Sequence, residues 1–449
     1  MIFFIRKILK FFEVDYTLVI YLSSRIWSVF SGPLTIFFIY KYLEPKLQGF
    51  YYTFSSLVGL QIFFELAFST VIIQFASHEW SNLNFDDQGY IIGEKTNLSR
   101  LKSLFQLTVR WYLVVSILFL AIVSIIGVLF FSKSHYEGLN IWLFPWLVLV
   151  ALSALQLFLL PIISILEGCN QLKTLYKYRF IQGVLGSIAF CILLGLKAKL
   201  WASLAQPVFL LLCNLALLIK YKNFIKSIYR TKQTDVINWK EEVLPMQSRL
   251  ALAGLVNYFS FSLFNPVMFH YYGPVVAGQM GLTWQIVGAI QNIGIAWIQI
   301  KIPSFGILIA KKEYKSLDKI WFRNSIKSFF VLMFVVSLFS SLLIILKLNH
   351  IKILDRLLPI KEVVVFSLAT IFFHITLCEA AYLRAHKKEV LTGMSVVGSL
   401  LIGLCVWFYG SKFGPIGAVS SYLIINAIVI MPWTTSIFYE YRREWHAEA

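Results

Sequence analysis

Apolar residues run through this chain in long stretches separated by short polar breaks, and twelve of those stretches are long enough to cross a bilayer as a helix. A hydrocarbon core of about 30 Å needs roughly 20 apolar residues in helical form. The stretches cover residues 16–40, 47–76, 104–132, 139–167, 174–196, 200–221, 246–272, 275–302, 325–347, 359–383, 390–410 and 413–438. No connection between them is long enough to fold as a domain of its own. The pattern therefore predicts an all-α polytopic membrane protein whose chemistry lies inside the helical bundle.

A turn signature repeats. After the first stretch comes Tyr42-Leu43-Glu44-Pro45 with Gly49 four residues past the proline, and after the seventh comes Tyr271-Tyr272-Gly273-Pro274 with Gly278 at the same interval. This spacing predicts a duplicated six-span unit, both halves starting on the same side of the membrane and facing each other across a central cavity. The expected division is an amphipathic segment at 1–15, an N-lobe of spans one to six at 16–221, a linker at 222–245, a C-lobe of spans seven to twelve at 246–438 and a tail at 439–449. The longest connections, 77–103 and 221–245, read as solvated linkers facing lipid headgroups. Helix-weakening residues inside spans (Gly32-Pro33, Pro161, Pro207, Pro266, Pro432) are either hinges or ordinary membrane-helix kinks.

Composition supports the bilayer reading, with 59% hydrophobic and only 14% charged residues against about a quarter charged in soluble domains. The net charge of +18 would suit a nucleic-acid partner, but its placement argues otherwise. The N-terminus (Arg6, Lys7, Lys10), the even-numbered loops and the C-terminus (Arg442, Arg443) hold more than twice as many of the 40 Lys and Arg as the odd-numbered loops. That bias places both termini in the cytoplasm and explains most of the charge as topology. Cys169, Cys191, Cys213, Cys378 and Cys405 lie in or beside apolar stretches without CxxC spacing, so no disulfide framework, metal or cofactor is expected. His78-Glu79 lacks the second histidine of HExxH, and no Walker-type glycine loop is present, so an enzyme is not expected.

Cations within or at the edges of spans (Arg25, Arg110, Arg249, Lys301, Lys327) are the candidates that topology does not absorb. Arg25 sits roughly 13 Å along the first span, where a guanidinium is costly unless it pairs or lines a wet cavity. It is either a fork for a phosphate or diphosphate or an ion pair with Glu65 of the second span. Arg249 and Lys301 open the seventh span and close the eighth, as a positive vestibule or as snorkelling anchors; Arg110 and Arg179 carry the same two readings. Glu65 and Glu379 are candidates for coupling a proton or sodium flux, or partners for a nearby arginine such as Arg384; Glu167 is a third in-span acid. His270 and His374 read as hydrogen-bonded packing residues. The seventh and eighth spans are rich in amides and aromatics, and Gln285, Asn292 and Gln299 recur every seven residues on nearly one face. That mix suits sugar hydroxyls and flat sugar faces, or interhelical glue.

With Arg25 leading into Tyr42-Leu43-Glu44-Pro45 and Gly49-Phe50-Tyr51-Tyr52, and with the duplicated span pattern over its whole length, the chain resembles the polysaccharide transporter branch of the multidrug/oligosaccharidyl-lipid/polysaccharide exporter superfamily, the O-antigen flippases. The resemblance implies a MATE-like fold in the bacterial inner membrane. It implies as well that the chain moves polyprenyl-diphosphate-linked oligosaccharide between leaflets by alternating access, in polysaccharide or lipopolysaccharide biosynthesis. Lipid-linked oligosaccharide, membrane lipids, protons or sodium ions and other glycan-assembly proteins would be its partners, with Arg25, Arg249, Lys301, Gln285, Asn292 and Gln299 on the substrate and Glu65 and Glu379 on the ion. A multidrug or small-solute antiporter of the same fold is one alternative, although Arg25 stands where drug exporters are expected to carry an acid. A membrane glycan polymerase is another, although the largest exterior connection, about 348–358, is short for one.

Overall fold

The computed structural model describes residues 16–133, 138–232, 234–386 and 390–447. The amphipathic segment expected at 1–15, with Arg6, Lys7 and Lys10, lies outside them. The chain forms two compact units: residues up to Leu43 together with Leu60–Leu252, and Glu44–Gly59 together with the residues from Ala253 on.

Unit 1 is built from α1 (Tyr16–Tyr42), α3 (Ile62–Glu65), α4 (Phe68–Trp80), α5 (Lys95–Ser132), α6 (Leu139–Gly168), α7 (Leu172–Gly195), α8 (Ala205–Lys220) and α9 (Lys222–Arg230). Helix α2 (Pro45–Val58) belongs to unit 2, which continues with α10 (Leu244–Phe261), α11 (Phe264–Gln299), α12 (Ile302–Ala310), α13 (Tyr314–Leu348), α14 (Ile360–Ala385), α15 (Thr392–Ile424) and α16 (Met431–Ala447). The opening residues of α10, up to Leu252, belong to unit 1.

Among the described residues eight helices are long and apolar enough to cross a membrane, and α2–α3 with α4 makes a ninth across a 49° bend. Two of the eight are hairpins. In α11 the chain reverses at Gly273 (φ 84°), where Pro274 starts the second arm and Phe261 and Phe264 meet Trp284 from the opposite arm. In α15 it reverses at Gly414 (φ 70°) before Pro415, which brings Gly417 against Tyr409 and Gly398 against Ile430. Glycine supplies the left-handed φ, and proline opens a helix without loss of a hydrogen bond. Counting both arms of each hairpin and the bent pair, and adding α1, the described residues form twelve helical segments of the kind the apolar pattern predicts.

The second span departs from expectation. Instead of one helix over 47–76 it ends at Glu65, and two non-glycine residues, Leu66 (φ 52°) and Ala67 (φ 54°), take left-handed conformations before α4 begins. Each such residue costs about 1–2 kcal/mol. The Ser69 hydroxyl donates to Glu65 across this break.

The long connections also carry structure. Residues 83–85 and 91–93 pair as an antiparallel hairpin, and the chain after α9 is fastened to the start of α5. The Ser99 hydroxyl accepts from the backbone N–H of Thr234 and Asp235 at 2.8 and 2.9 Å, Ser103 accepts from that of Ile237, and Lys102 donates to the carbonyls of Tyr229 and Thr231. Trp239 packs edge-on against Phe68 at 4.9 Å. Arg100 bridges Glu79 (2.8 Å) and Glu242 (2.6 Å). Residues read as solvated linkers are thus folded against unit 1. At the C-terminus, helix α16 continues through the residues expected as a tail, to Ala447.

Candidate functional site

Three spans of unit 1 each turn a stripe of helical periodicity toward one cavity of ≈ 160 Å³. From α6 come Gln156, Leu160 and Ile163; from α7, Leu175, Tyr178, Arg179 and Gln182; from α8, Leu210, Cys213, Asn214 and Leu217, with Gln61 reaching in from the turn before α3. The space far exceeds what one water needs. Each of the three helices brings both aliphatic and polar side chains to the lining, the polar ones being amides, a phenol and a guanidinium.

The polar part of the lining is held by its neighbours. Gln156 donates to the carbonyl of Pro207 at 2.8 Å, and Gln182 donates to the side-chain oxygen of Gln206 at 2.8 Å. Gly186 makes room for that pairing, because a Cβ there would come within 2.6 Å of the Gln206 oxygen. Arg179, roughly 10 Å along α7, donates one Nη to Glu167 at 2.6 Å while its side chain stays 47% exposed. Glutamate therefore neutralises the arginine without enclosing it, and an incoming anion meets exchangeable charge. Amides that donate and accept, beside such an arginine, suit a ligand that combines hydroxyls with negative charge.

Helix α1 is tied to the same scaffold: the Trp27 indole donates to Ser187 (2.9 Å) and to the Gly183 carbonyl (3.2 Å) of α7. Arg25 lies two residues earlier on this helix, but its side chain is outside the described residues, as are those of Arg249 and Asn257. The expected Arg25–Glu65 pair is therefore not described; Glu65 has its bond from Ser69.

In unit 2 the expected amide face is divided. Gln285 accepts from the Tyr52 hydroxyl at 2.6 Å, Gln291 is buried against His374 at 3.0 Å, and Gln279 donates to the Asp355 carbonyl. These three join elements to one another. Asn292 and Gln299 are exposed on the same arm of α11, and Lys301 is half-buried in the turn after it. Glu379 is buried and accepts from Thr435 at 2.9 and 3.1 Å. His374 packs as expected of it, with Ser328 at 2.9 Å on its other nitrogen. Among the described residues no group of His, Cys, Asp and Glu could hold a metal ion.

Gln61, Gln156, Tyr178, Gln182 and Asn214 were not singled out by the sequence pattern. Each span supplies one or two of them, so no single stretch looks polar; the only local cue is Arg179 with Gln182 three residues on.

The sequence matches no protein family and no curated protein. Solved structures do match over nearly the whole chain. The lipid II flippase MurJ in an inward closed conformation aligns with 15% identity, covering 94% of this chain and 90% of its own, at a TM-score of 0.64. An inward-facing multidrug resistance MATE family transporter of the MOP superfamily aligns with 13% identity, 91% and 99% coverage and a TM-score of 0.60. The MATE multidrug transporter DinF-BH in complex with R6G aligns with 12% identity, 95% coverage of both chains and a TM-score of 0.58. At these identities the likeness is one of fold. The chain is a multi-pass, mainly helical membrane protein that shares the fold of MurJ and the MATE transporters.

Proposed function

We propose that the protein moves a polyprenyl-diphosphate-linked oligosaccharide across the bacterial inner membrane by alternating access of its two units, both termini being cytoplasmic. The observation that carries this reading is the cavity of unit 1, whose lining combines Gln61, Gln156, Gln182, Asn214, Tyr178 and Arg179 with aliphatic side chains. A glycan head and its diphosphate cannot enter hydrocarbon, whereas the polyprenyl chain can stay in it. Amides replace the water that sugar hydroxyls lose, and Arg179 exchanges Glu167 for the anion. Arg25, Arg249 and Lys301 extend the positive path, with Gln285, Asn292 and Gln299 beside it, and Glu65 and Glu379 couple a proton or sodium ion to the movement. The flippase MurJ, whose fold the chain shares, supports a lipid-borne substrate. Membrane lipids and glycan-assembly proteins are its natural neighbours in polysaccharide, O-antigen or lipopolysaccharide biosynthesis; nucleic acid, metal and cofactor have no part.

The test is reconstitution in liposomes with a fluorescent undecaprenyl-diphosphate oligosaccharide in one leaflet and a membrane-impermeant quencher outside. Transfer that needs the protein and is lost in Arg179→Ala supports the proposal. Absence of transfer under an imposed proton or sodium gradient, combined with efflux of an organic cation such as rhodamine 6G, would replace it with the multidrug antiporter reading.

A further inference from the structure

Helix α8 is a membrane span, and α9 starts only one residue beyond it, at Lys222 after the Tyr221 hinge. Covalent geometry therefore sets α9 at the depth of the lipid headgroups. One side of α9 is buried: Phe224 lies 5.8 Å from the ring of Phe85, and the Ser227 hydroxyl accepts from the backbone N–H of Ile91 at 3.0 Å. Lys222, Lys226 and Arg230 are exposed at intervals of four, which places them along one stripe. Two large side chains stand open on the same elements, Tyr229 (58% exposed) on α9 and Ile92 (52%) on the strand it packs against.

Beside the first turn of α9 is an open hollow of ≈ 230 Å³ lined by Phe85, Gln88, Gly89, Gln171, Lys220, Tyr221 and Asn223. The Lys220 ammonium donates to Thr174 at 3.4 Å and stands 5.8 Å from the centre of the Tyr221 ring, which leaves it donors for a further acceptor. Of the two acids nearest by sequence, Asp86 accepts the backbone N–H of Gln88 and Tyr90 at 2.9 and 2.7 Å, so its charge serves the hairpin turn, and Asp87 is exposed.

We propose that this corner of unit 1 binds an anionic phospholipid, the headgroup phosphate resting against Lys220 in the hollow and neighbouring headgroups meeting the Lys222, Lys226 and Arg230 stripe. Location favours lipid over a soluble anion, and so do Tyr229 and Ile92, which a soluble anion would leave in water and an interfacial lipid covers. The site is independent of what the transporter carries.

The experiment is a thermal melt of the full chain in neutral detergent, titrated with dihexanoyl phosphatidylglycerol, dihexanoyl phosphatidylcholine or inorganic phosphate. Phosphatidylglycerol is expected to raise the melting temperature, with the other two leaving it unchanged. In Lys220→Gln/Lys222→Gln and in Lys222→Gln/Lys226→Gln/Arg230→Gln the lipid concentration needed rises roughly fivefold per charge removed. Lys412→Gln, an exposed cation of unit 2, leaves it unchanged. Equal protection of the variants, equal protection by phosphatidylcholine, or an equal loss in Lys412→Gln would overturn the proposal. Inorganic phosphate reproducing the whole shift would also overturn it, in favour of a soluble-anion site.

Discussion

Gly49 and Gly278 face each other at a helix crossing of unit 2 where backbone meets backbone. A Cβ on Gly278 would lie 2.9 Å from the Gly49 nitrogen, and one on Gly49 would lie 1.8 Å from the Pro274 carbonyl oxygen. Each belongs to one copy of the repeated turn, so the two copies form the two sides of a single crossing. Gln48 completes it by donating to the Gly278 carbonyl at 2.8 Å. Glycine is required here by backbone approach, the usual means of bringing membrane helices together.

Gly49→Ala is accordingly expected to be destabilising by about 3 kcal/mol or more, since the atom it meets is backbone and cannot rotate away. Gly59→Ala is the control, because its nearest neighbour would be the Tyr258 ring at an ordinary 3.5 Å. Size-exclusion recovery and melting temperature in detergent check both. Gly49→Ala should fall well below wild type and Gly59→Ala should not.

Much of the fold was legible because hydrocarbon imposes a simple pattern: apolar runs mark the spans, and the Pro45–Gly49 and Pro274–Gly278 turns mark the repeat. Gly414-Pro415, between two closely spaced runs, follows the same chemistry as Gly273-Pro274. The break at Leu66-Ala67 was not legible, because neither residue favours a left-handed backbone. The cavity around Arg179 was hidden for another reason. Its polar groups come from α6, α7, α8 and the turn before α3, and only folding collects them. Density of amides pointed to α11, where Gln285 and Gln291 prove to be tied to Tyr52 and His374.

If Arg179 exchanges Glu167 for substrate, Arg179→Ala should cut transfer of the lipid-linked substrate by tenfold or more, the loss expected for one charge-assisted contact of roughly 1.5–3 kcal/mol. Arg179→Lys should restore part of it, because lysine keeps the charge and loses the fork. Glu167→Gln should weaken competition and tighten binding. The comparison is made in liposomes at matched protein content; Arg179→Ala with wild-type transfer would remove the cavity from the transport path.

Arg100 holds the chain between the two halves through Glu79, which is only 2% exposed, and Glu242. Arg100→Ala leaves Glu79 with the Asn97 amide at 2.9 Å and the exposed His78 ring at 3.8 Å, and without its guanidinium. That should cost about 2–4 kcal/mol, near the range for a broken buried pair. The Glu242 carboxyl is held below its ordinary value by the Asn238 backbone N–H and then by Arg100. A lowered folded pKa contributes stability that is present above the unfolded value of about 4.3 and lost as pH falls through the folded value. Hydrogen exchange of residues 234–243, corrected for intrinsic rate, should therefore accelerate below about pH 4. In Glu242→Gln it should be faster at neutral pH and flat across that window.

At Leu66 and Ala67 the left-handed backbone inverts the usual ranking of glycine and alanine. In a regular helix, glycine is less stable than alanine by about 1 kcal/mol. At φ 52° alanine keeps the Cβ clash that glycine avoids, a difference of about 1–2 kcal/mol in the other direction. Comparing Leu66→Gly with Leu66→Ala cancels the packing lost with leucine, so Leu66→Gly should melt higher. The same pair at Leu118, inside α5 and largely exposed, should show the ordinary order. If Leu66→Ala were instead the more stable of its pair, α3 and α4 would form one continuous helix, and Glu65 would lose its place beside a break.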